Sequence, residues 1–209
     1  MIQGSTNAPD QPPGGSSPSP PVWRRVFHLT AGSVLPVAGL VAPHQFFIPA
    51  LITLVVIALA VETARLMSDP LNRVLLRLFA PLLKQQEDRS LTGSTYMLIS
   101  ALAVFLLFDT HIAAAAMLFL SLGDPVAALV GTRLRGPRFF GKSPGGTAAF
   151  VVVSLGACAA LVSGGVAPFH WGLIVGAVVA GIVELLPIPL DDNLTVPLAS
   201  GAVMHLLGV

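Results

Sequence analysis

Three short segments place side chains suited to a hard cation and to phosphate oxygens. The first, GDPVAALVG from Gly123 to Gly131, sets Asp124 in an otherwise apolar run, followed by a Pro125 that fits a helix start or kink. An unpaired carboxylate there is expensive, and a metal ion or a nearby Lys142 or Arg133 relieves the cost. The second, GKSPGGT from Gly141 to Thr147, is a Gly-rich turn with Lys142 and Ser143 leading into an apolar stretch. Backbone amides of Gly146 and Thr147 at a helix start are a donor set for phosphate, although a plain loop explains the composition equally well. It is not a Walker A loop, which needs GxxxxGK[ST] after a strand.

The third segment, DDNLTVP from Asp191 to Pro197, puts Asp191, Asp192 and Asn193 at the entrance to the last apolar run. Glu184 lies about two helical turns upstream, so it can face the same cavity. Asp192 or Asn193 can instead serve as a helix cap. His28, one turn after Arg24, is a possible partner for a carboxylate. Carboxylates beside Lys and Arg at a membrane face are what a Mg²⁺-nucleotide site requires, and Glu62, Arg65, Glu87 and Arg133 are further candidates for it. Ordinary ion pairing and contact with lipid headgroups compete with that reading for the arginines.

The elements that must position these groups are apolar helices. Charged residues make up 10% of the 209, hydrophobic ones 54%, and the mean hydropathy is +0.83, a composition no water-soluble fold of this size can bury. Apolar runs bounded by charge, Pro and Gly predict about seven transmembrane helices near 26–42, 46–64, 94–109, 111–131, 146–163, 169–187 and 195–209. The fold class is an all-α, polytopic helical bundle: residues 1–21, rich in Pro, Gly and Ser, form a disordered tail, and 22–209 form one membrane domain. Segment 68–83 carries Leu71, Val74, Leu75, Leu78 and Leu82 at helical spacing with Arg73 and Arg77 on another face. It is either an amphipathic helix at the interface or an extension of the second span packed on the bundle. Cys158, the single cysteine, lies inside an apolar run and supports neither a disulfide nor a metal site.

Orientation follows from the basic residues. With the amino terminus cytoplasmic, alternation puts all 11 Lys and Arg on the inside, in segments 1–25, 65–93 and 132–145. The carboxylates Glu62, Glu87, Asp88, Asp124, Glu184, Asp191 and Asp192 fall on that same side, whereas Asp109, His44, His111 and His170 mark the outer one. The protein is thus expected in the cell membrane, multi-pass, with its carboxyl terminus extracytoplasmic.

In order and spacing, RRVFHLTAG at 24–32, Glu62 with Arg65, the stretch from Glu87 through LTGSTY, GDPVAALVG, GKSPGGT, and Glu184 followed by DDNLTVPL together resemble the polyprenol kinase family, which groups dolichol, phytol and CTP-dependent diacylglycerol kinases. The resemblance implies transfer of the γ-phosphoryl group of a nucleoside triphosphate, CTP favoured over ATP, to the hydroxyl of a membrane isoprenoid alcohol or diacylglycerol, with Mg²⁺ as cofactor. Asp124, Lys142, Glu184, Asp192 and Asn193 match the family's polar positions, and the chemistry of the residues supplies the roles: catalytic for Asp124, Lys142, Glu184, Asp191 and Asp192, metal binding for Asp124 and Asp192. Nucleotide contacts fall to Gly123, Gly131, Gly141, Lys142, Ser143, Gly146, Thr147 and Asn193. The implied partners are the nucleotide, the lipid alcohol and the bilayer, with no nucleic acid among them and the oligomeric state left open. One departure stands out: the family's loop, of the form KSxEGS, has an acidic residue where this chain has Gly145. Either Glu87 supplies the missing carboxylate or nucleotide choice or activity differs. A cytidylyltransferase acting on a lipid phosphate needs similar groups and is the alternative enzyme. A transporter needs polar groups reachable from both faces, and the outer side has little beyond Asp109 and three His.

Overall fold

A computed structural model describes residues 22–79, 88–134 and 136–209. Among them eight α-helices follow one another and no β-strand forms: α1 (Val22–Val41), α2 (His44–Met67), α3 (Asp69–Leu78), α4 (Gly93–Leu107), α5 (Thr110–Arg133), α6 (Pro144–Ser163), α7 (Trp171–Leu185) and α8 (Asp192–Leu206). Each expected span coincides with a helix to within about one turn at either end. The expected tail at 1–21, and Lys84 and Glu87, lie outside the described residues.

Helix α5 is the axis of the bundle, packed against α1, α4, α6, α7 and α8. Its Ala113, Ala114, Ala115 and Ala116 are fully buried, and such small side chains let neighbours approach from every side. Close approach is required between α5 and α6: a Cβ on Gly146 would stand 2.8 Å from the Ala127 carbonyl, and one on Gly123 would stand 2.6 Å from the Phe150 ring. The apolar stretch of α5 is 67% buried, whereas that of α2 is 22% buried. Helix α2 therefore lines the outside, with Ile52, Leu54, Val56, Ile57 and Leu59 exposed. An apolar exterior of this kind suits hydrocarbon and not water. Helices α2, α5 and α6 are each long and apolar enough to cross a membrane, while α4, α7 and the apolar part of α1, His28–Val41, are shorter. Length, composition and exterior mark the chain as a membrane protein.

At Ser68 the backbone turns extended (φ −132°, ψ 102°), ending α2, and Pro70 sits in the first turn of α3. Helix α3 is thus separate, and the expectation of a continuous extension of α2 is set aside. It buries no residue: Leu71, Val74 and Leu78 are exposed along one face, Arg73 and Arg77 along another. It ends at Leu78, and 80–83 of the expected segment, Leu82 included, lie outside the described residues.

Candidate active site

The GKSPGGT turn is built by a two-residue reversal. Phe139 and Lys142 exchange backbone hydrogen bonds of 2.8 and 2.9 Å, and the residues between them, Phe140 (φ 51°) and Gly141 (φ 82°), both take left-handed backbone. That is the geometry of a tight hairpin turn, favourable for Gly141 and costing about 1–2 kcal/mol at Phe140. Lys142 is thereby anchored at the start of α6, whose first turn is capped by Ser143, its Oγ accepting from the Gly146 amide at 3.4 Å, with Pro144 preorganising the helix.

From this anchor the Lys142 ammonium reaches across to the α7–α8 corner. It donates to the Glu184 backbone carbonyl, to Asp192 Oδ2 at 2.8 Å, and lies 3.2 Å from Glu184 Oε1. Glu184 is in the last turn of α7, and Asp192 is the first residue of α8. Burial alone would depress the Lys142 pKa, but the hydrogen bond and charge of Asp192, and then Glu184, outweigh it and hold the group above the ordinary lysine range. The second oxygen of Glu184, Oε2, is buried with no hydrogen-bond partner among the described residues, and the side chain is only 8% exposed.

These groups open onto a pocket of about 220 Å³, lined among the described residues by Asp124, Ala127, Ala128, Gly131, Thr132, Arg138, Gly141, Lys142, Ser143, Gly146, Thr147 and Glu184. Asp124, Ala127, Ala128 and Gly131 recur at i, i+3, i+4 and i+7, so α5 presents one face to it. Asp124 acts electrostatically on both Glu184 and Asp192, and its Oδ2 lies 3.9 Å from His28 Nε2, which brings α1 to the site.

Of the sequence candidates, Asp124, Gly131, Gly141, Lys142, Ser143, Gly146, Thr147 and Glu184 line this pocket and Asp192 joins it through Lys142. Others are placed elsewhere. Gly123 is packed on Phe150. Asp191 is the cap of α8, its Oδ1 accepting from the Asn193 amide at 2.9 Å and the Asn193 side chain at 2.6 Å. The capping expected of Asp192 or Asn193 thus falls to Asp191. Arg133 is exposed at the end of α5 and is not among the lining residues. Arg138 and Thr132 line the pocket although nothing in the motifs singled them out; Arg138 lies four residues before Lys142 in the same basic loop. At Gly145 a Cβ would run into the Leu134 side chain, outside the set of lining residues.

Glu62 and Arg65 form a second polar cluster at the α2–α3 corner. They are 4% and 3% exposed, and Arg65 Nε donates to Glu62 Oε2 at 2.9 Å. Glu62 Oε1 accepts from the Thr92 amide (3.0 Å) and from the hydroxyls of Thr92 (2.6 Å) and Thr95 (3.1 Å). Arg65 also donates to Asn72 Oδ1 and to the carbonyls of Asp88 and Ser90. A buried ion pair satisfied on this scale ties α2, α3 and the start of α4 together. Neither residue lines the pocket.

Among the described residues no three or more His, Cys, Asp or Glu side chains are grouped to hold a metal by themselves. A Mg²⁺ ion needs only one or two carboxylates when phosphate oxygens and water complete its shell. Asp124 and Asp192 are carboxylates of the kind such a shell uses, and Glu184 Oε2 is left without a partner among the described residues.

Fold and pocket together define an all-helical membrane protein with a Lys–carboxylate cluster at one end of its bundle. No protein-family profile matches the chain. It is similar to an uncharacterized protein of Rickettsia prowazekii (strain Madrid E), 24% identical over 188 residues that cover 84% of this chain and 89% of that protein. No solved structure matches it.

Proposed function

We propose that this protein is a lipid-alcohol kinase, transferring the γ-phosphoryl group of a nucleoside triphosphate, CTP in preference to ATP, to the hydroxyl of a membrane isoprenoid alcohol or diacylglycerol. The observation that carries the reading is the convergence of Asp124, Lys142 and Glu184, from three separate parts of the chain, on one pocket. Phosphoryl transfer relies on positioning and charge stabilisation, so it asks for this set of groups and little covalent chemistry. Lys142 and the start of α6, with Ser143, Gly146 and Thr147, hold the phosphates. Asp124 and Asp192 would hold Mg²⁺, which when bound would supply neutralisation of charge on the transferring group. Glu184 accepts the proton of the lipid hydroxyl as its oxygen forms the new bond to phosphorus; the bond to the bridging oxygen breaks and the nucleoside diphosphate leaves with the electron pair.

In this reading α1, α2 and α4 to α8 make seven crossings and α3 lies at the cytoplasmic interface, so that all 11 basic residues and the pocket share the cytoplasmic side. Helices of 15 residues are about 22 Å long, short of a ~30 Å core, and rely on neighbours and local thinning. A reporter fused after Val209 reads extracytoplasmic and one within 132–145 cytoplasmic; the opposite result at either place ends the seven-crossing arrangement.

The activity test uses purified protein in detergent with Mg²⁺, labelled CTP or ATP, and phytol, geranylgeraniol, undecaprenol or diacylglycerol. CDP and a monophosphorylated lipid are expected. Pyrophosphate and a CDP-lipid, formed from a lipid phosphate, would instead mark a cytidylyltransferase. Equal turnover with ATP removes the CTP preference, and no turnover with any pair removes the kinase.

A further inference from the structure

Lys142 donates to the Glu184 carbonyl and to Asp192 Oδ2 and is ion-paired with Glu184 Oε1 at 3.2 Å, so its ammonium is turned toward the two carboxylates. The same ammonium neutralises the two carboxylates that the proposed reaction needs free, one for a cation and one for the lipid hydroxyl. Beside them Asp124 adds a third negative charge within electrostatic range, and Glu184 Oε2 is buried and unpartnered on a side chain 8% exposed. The cluster therefore holds more carboxylate than Lys142 can satisfy.

Resting on the kinase reading, we propose that Lys142 occupies the cation's place in the nucleotide-free site and acts as an internal lock. Phosphate oxygens draw the ammonium away from Asp192 and Glu184. Asp192, freed of the ammonium, would then hold the divalent cation that accompanies the nucleotide, while Glu184 is released toward the hydroxyl. Two consequences follow. A divalent cation alone competes with a tethered ammonium and binds weakly, and the carboxylates are unlocked only in the presence of phosphate. The lock thus guards against metal-bound, nucleotide-free protein and against activation of a hydroxyl with no phosphoryl group to receive it.

The test measures Mn²⁺ binding by electron paramagnetic resonance on the full-length protein in detergent without nucleotide, so that it needs no turnover. Lys142→Met keeps the length of the side chain and removes the charge. Mn²⁺ is expected to bind it at least ~10-fold more tightly than the wild type, a coupling of ordinary size, even though nucleotide use is lost. Lys142→Arg keeps the charge and is expected to stay as weak as the wild type. Adding Asp192→Asn to Lys142→Met should abolish the gain. Should the methionine variant fail to fold, judged by size-exclusion profile, Lys142→Gln replaces it. Unchanged or weaker Mn²⁺ binding in the neutral variants overturns the lock, whatever the activity. Tighter binding by a protein that phosphorylates no lipid supports the lock and removes the kinase.

Discussion

Lys142 and Asp192, 50 residues apart in the chain, meet at 2.8 Å across the end of the bundle. The contact joins the loop before α6 to the first residue of α8, and through Glu184 it also takes in the end of α7. The neighbouring Asp191, and not Asp192, caps α8. The two adjacent carboxylates therefore do different work, which makes their substitution informative.

Asp192→Asn leaves the Asp191 cap intact, so the helix should still form while the charge facing Lys142 and the pocket is lost. Asp124→Asn likewise keeps the shape of a side chain that is 43% exposed. Each is expected to lower phosphoryl transfer more than ~100-fold, about 2.7 kcal/mol of transition-state stabilisation, at saturating Mg²⁺ and nucleotide. Asp191→Asn, in contrast, should retain much of the activity, since Asn caps nearly as well as Asp. Near wild-type rates in both the Asp124 and Asp192 variants would make the cluster a structural one.

The elevated Lys142 pKa sets a pH dependence of stability. Because the folded-state value lies above the unfolded one, the contribution of the ion pairs is fully present below the unfolded pKa of ~10.4 and is lost only as pH rises through the folded value. The difference in melting temperature between wild type and Lys142→Met should hold steady from neutral pH to about 10 and shrink above it. A difference that already fades between about pH 7 and 9 would mean that the ammonium is not held by its carboxylates.

Much of this was legible in the sequence because hydropathy and helical spacing are local properties. The helices were readable to about a turn, and Asp124, Lys142 and Glu184 stood out as ionisable groups at the edges of apolar runs. What spacing cannot reveal is which side chains meet across 42 or 50 residues, so the bridging of Glu184 and Asp192 by Lys142 emerged only from the packing of α6, α7 and α8. Likewise Gly123 and Gly131 look alike in the motif, but one faces Phe150 and the other the pocket. Glu62 and Arg65 attracted attention as charges at the cytoplasmic end of the second expected span. Their partners Thr92 and Thr95 lie in the LTGSTY stretch, which gave no sign of the link until the α4 start folded against α2.

That cluster predicts a split between stability and chemistry. Removing one member of a buried, hydrogen-bonded ion pair leaves an uncompensated charge, at a cost of about 3–5 kcal/mol. Glu62→Ala or Arg65→Ala should therefore lower the melting temperature in detergent far more than Asp124→Asn does. Replacing both by apolar residues should recover part of the loss. If the single variants melt like the wild type but lose activity, the pair belongs to the chemistry and not to the α2–α3–α4 corner.

Helix α3 predicts a depth measurement. Its Leu71, Val74 and Leu78 are exposed together on one face, with Arg73 and Arg77 on another, as suits a helix lying in the headgroup plane with its apolar side ~5–10 Å into the acyl boundary. The single Cys158 is buried, so a Cys158→Ser background allows one spin label at a time. In anionic bilayers a label at Val74→Cys should be accessible to oxygen and shielded from a water-soluble relaxant, and a label at Arg77→Cys should show the reverse. Anionic lipid favours this arrangement through the two arginines by ~1 kcal/mol each, so Arg73→Gln with Arg77→Gln should make the Val74 label shallower. Equal exposure of both positions to water would place α3 off the membrane and leave its apolar face to another partner.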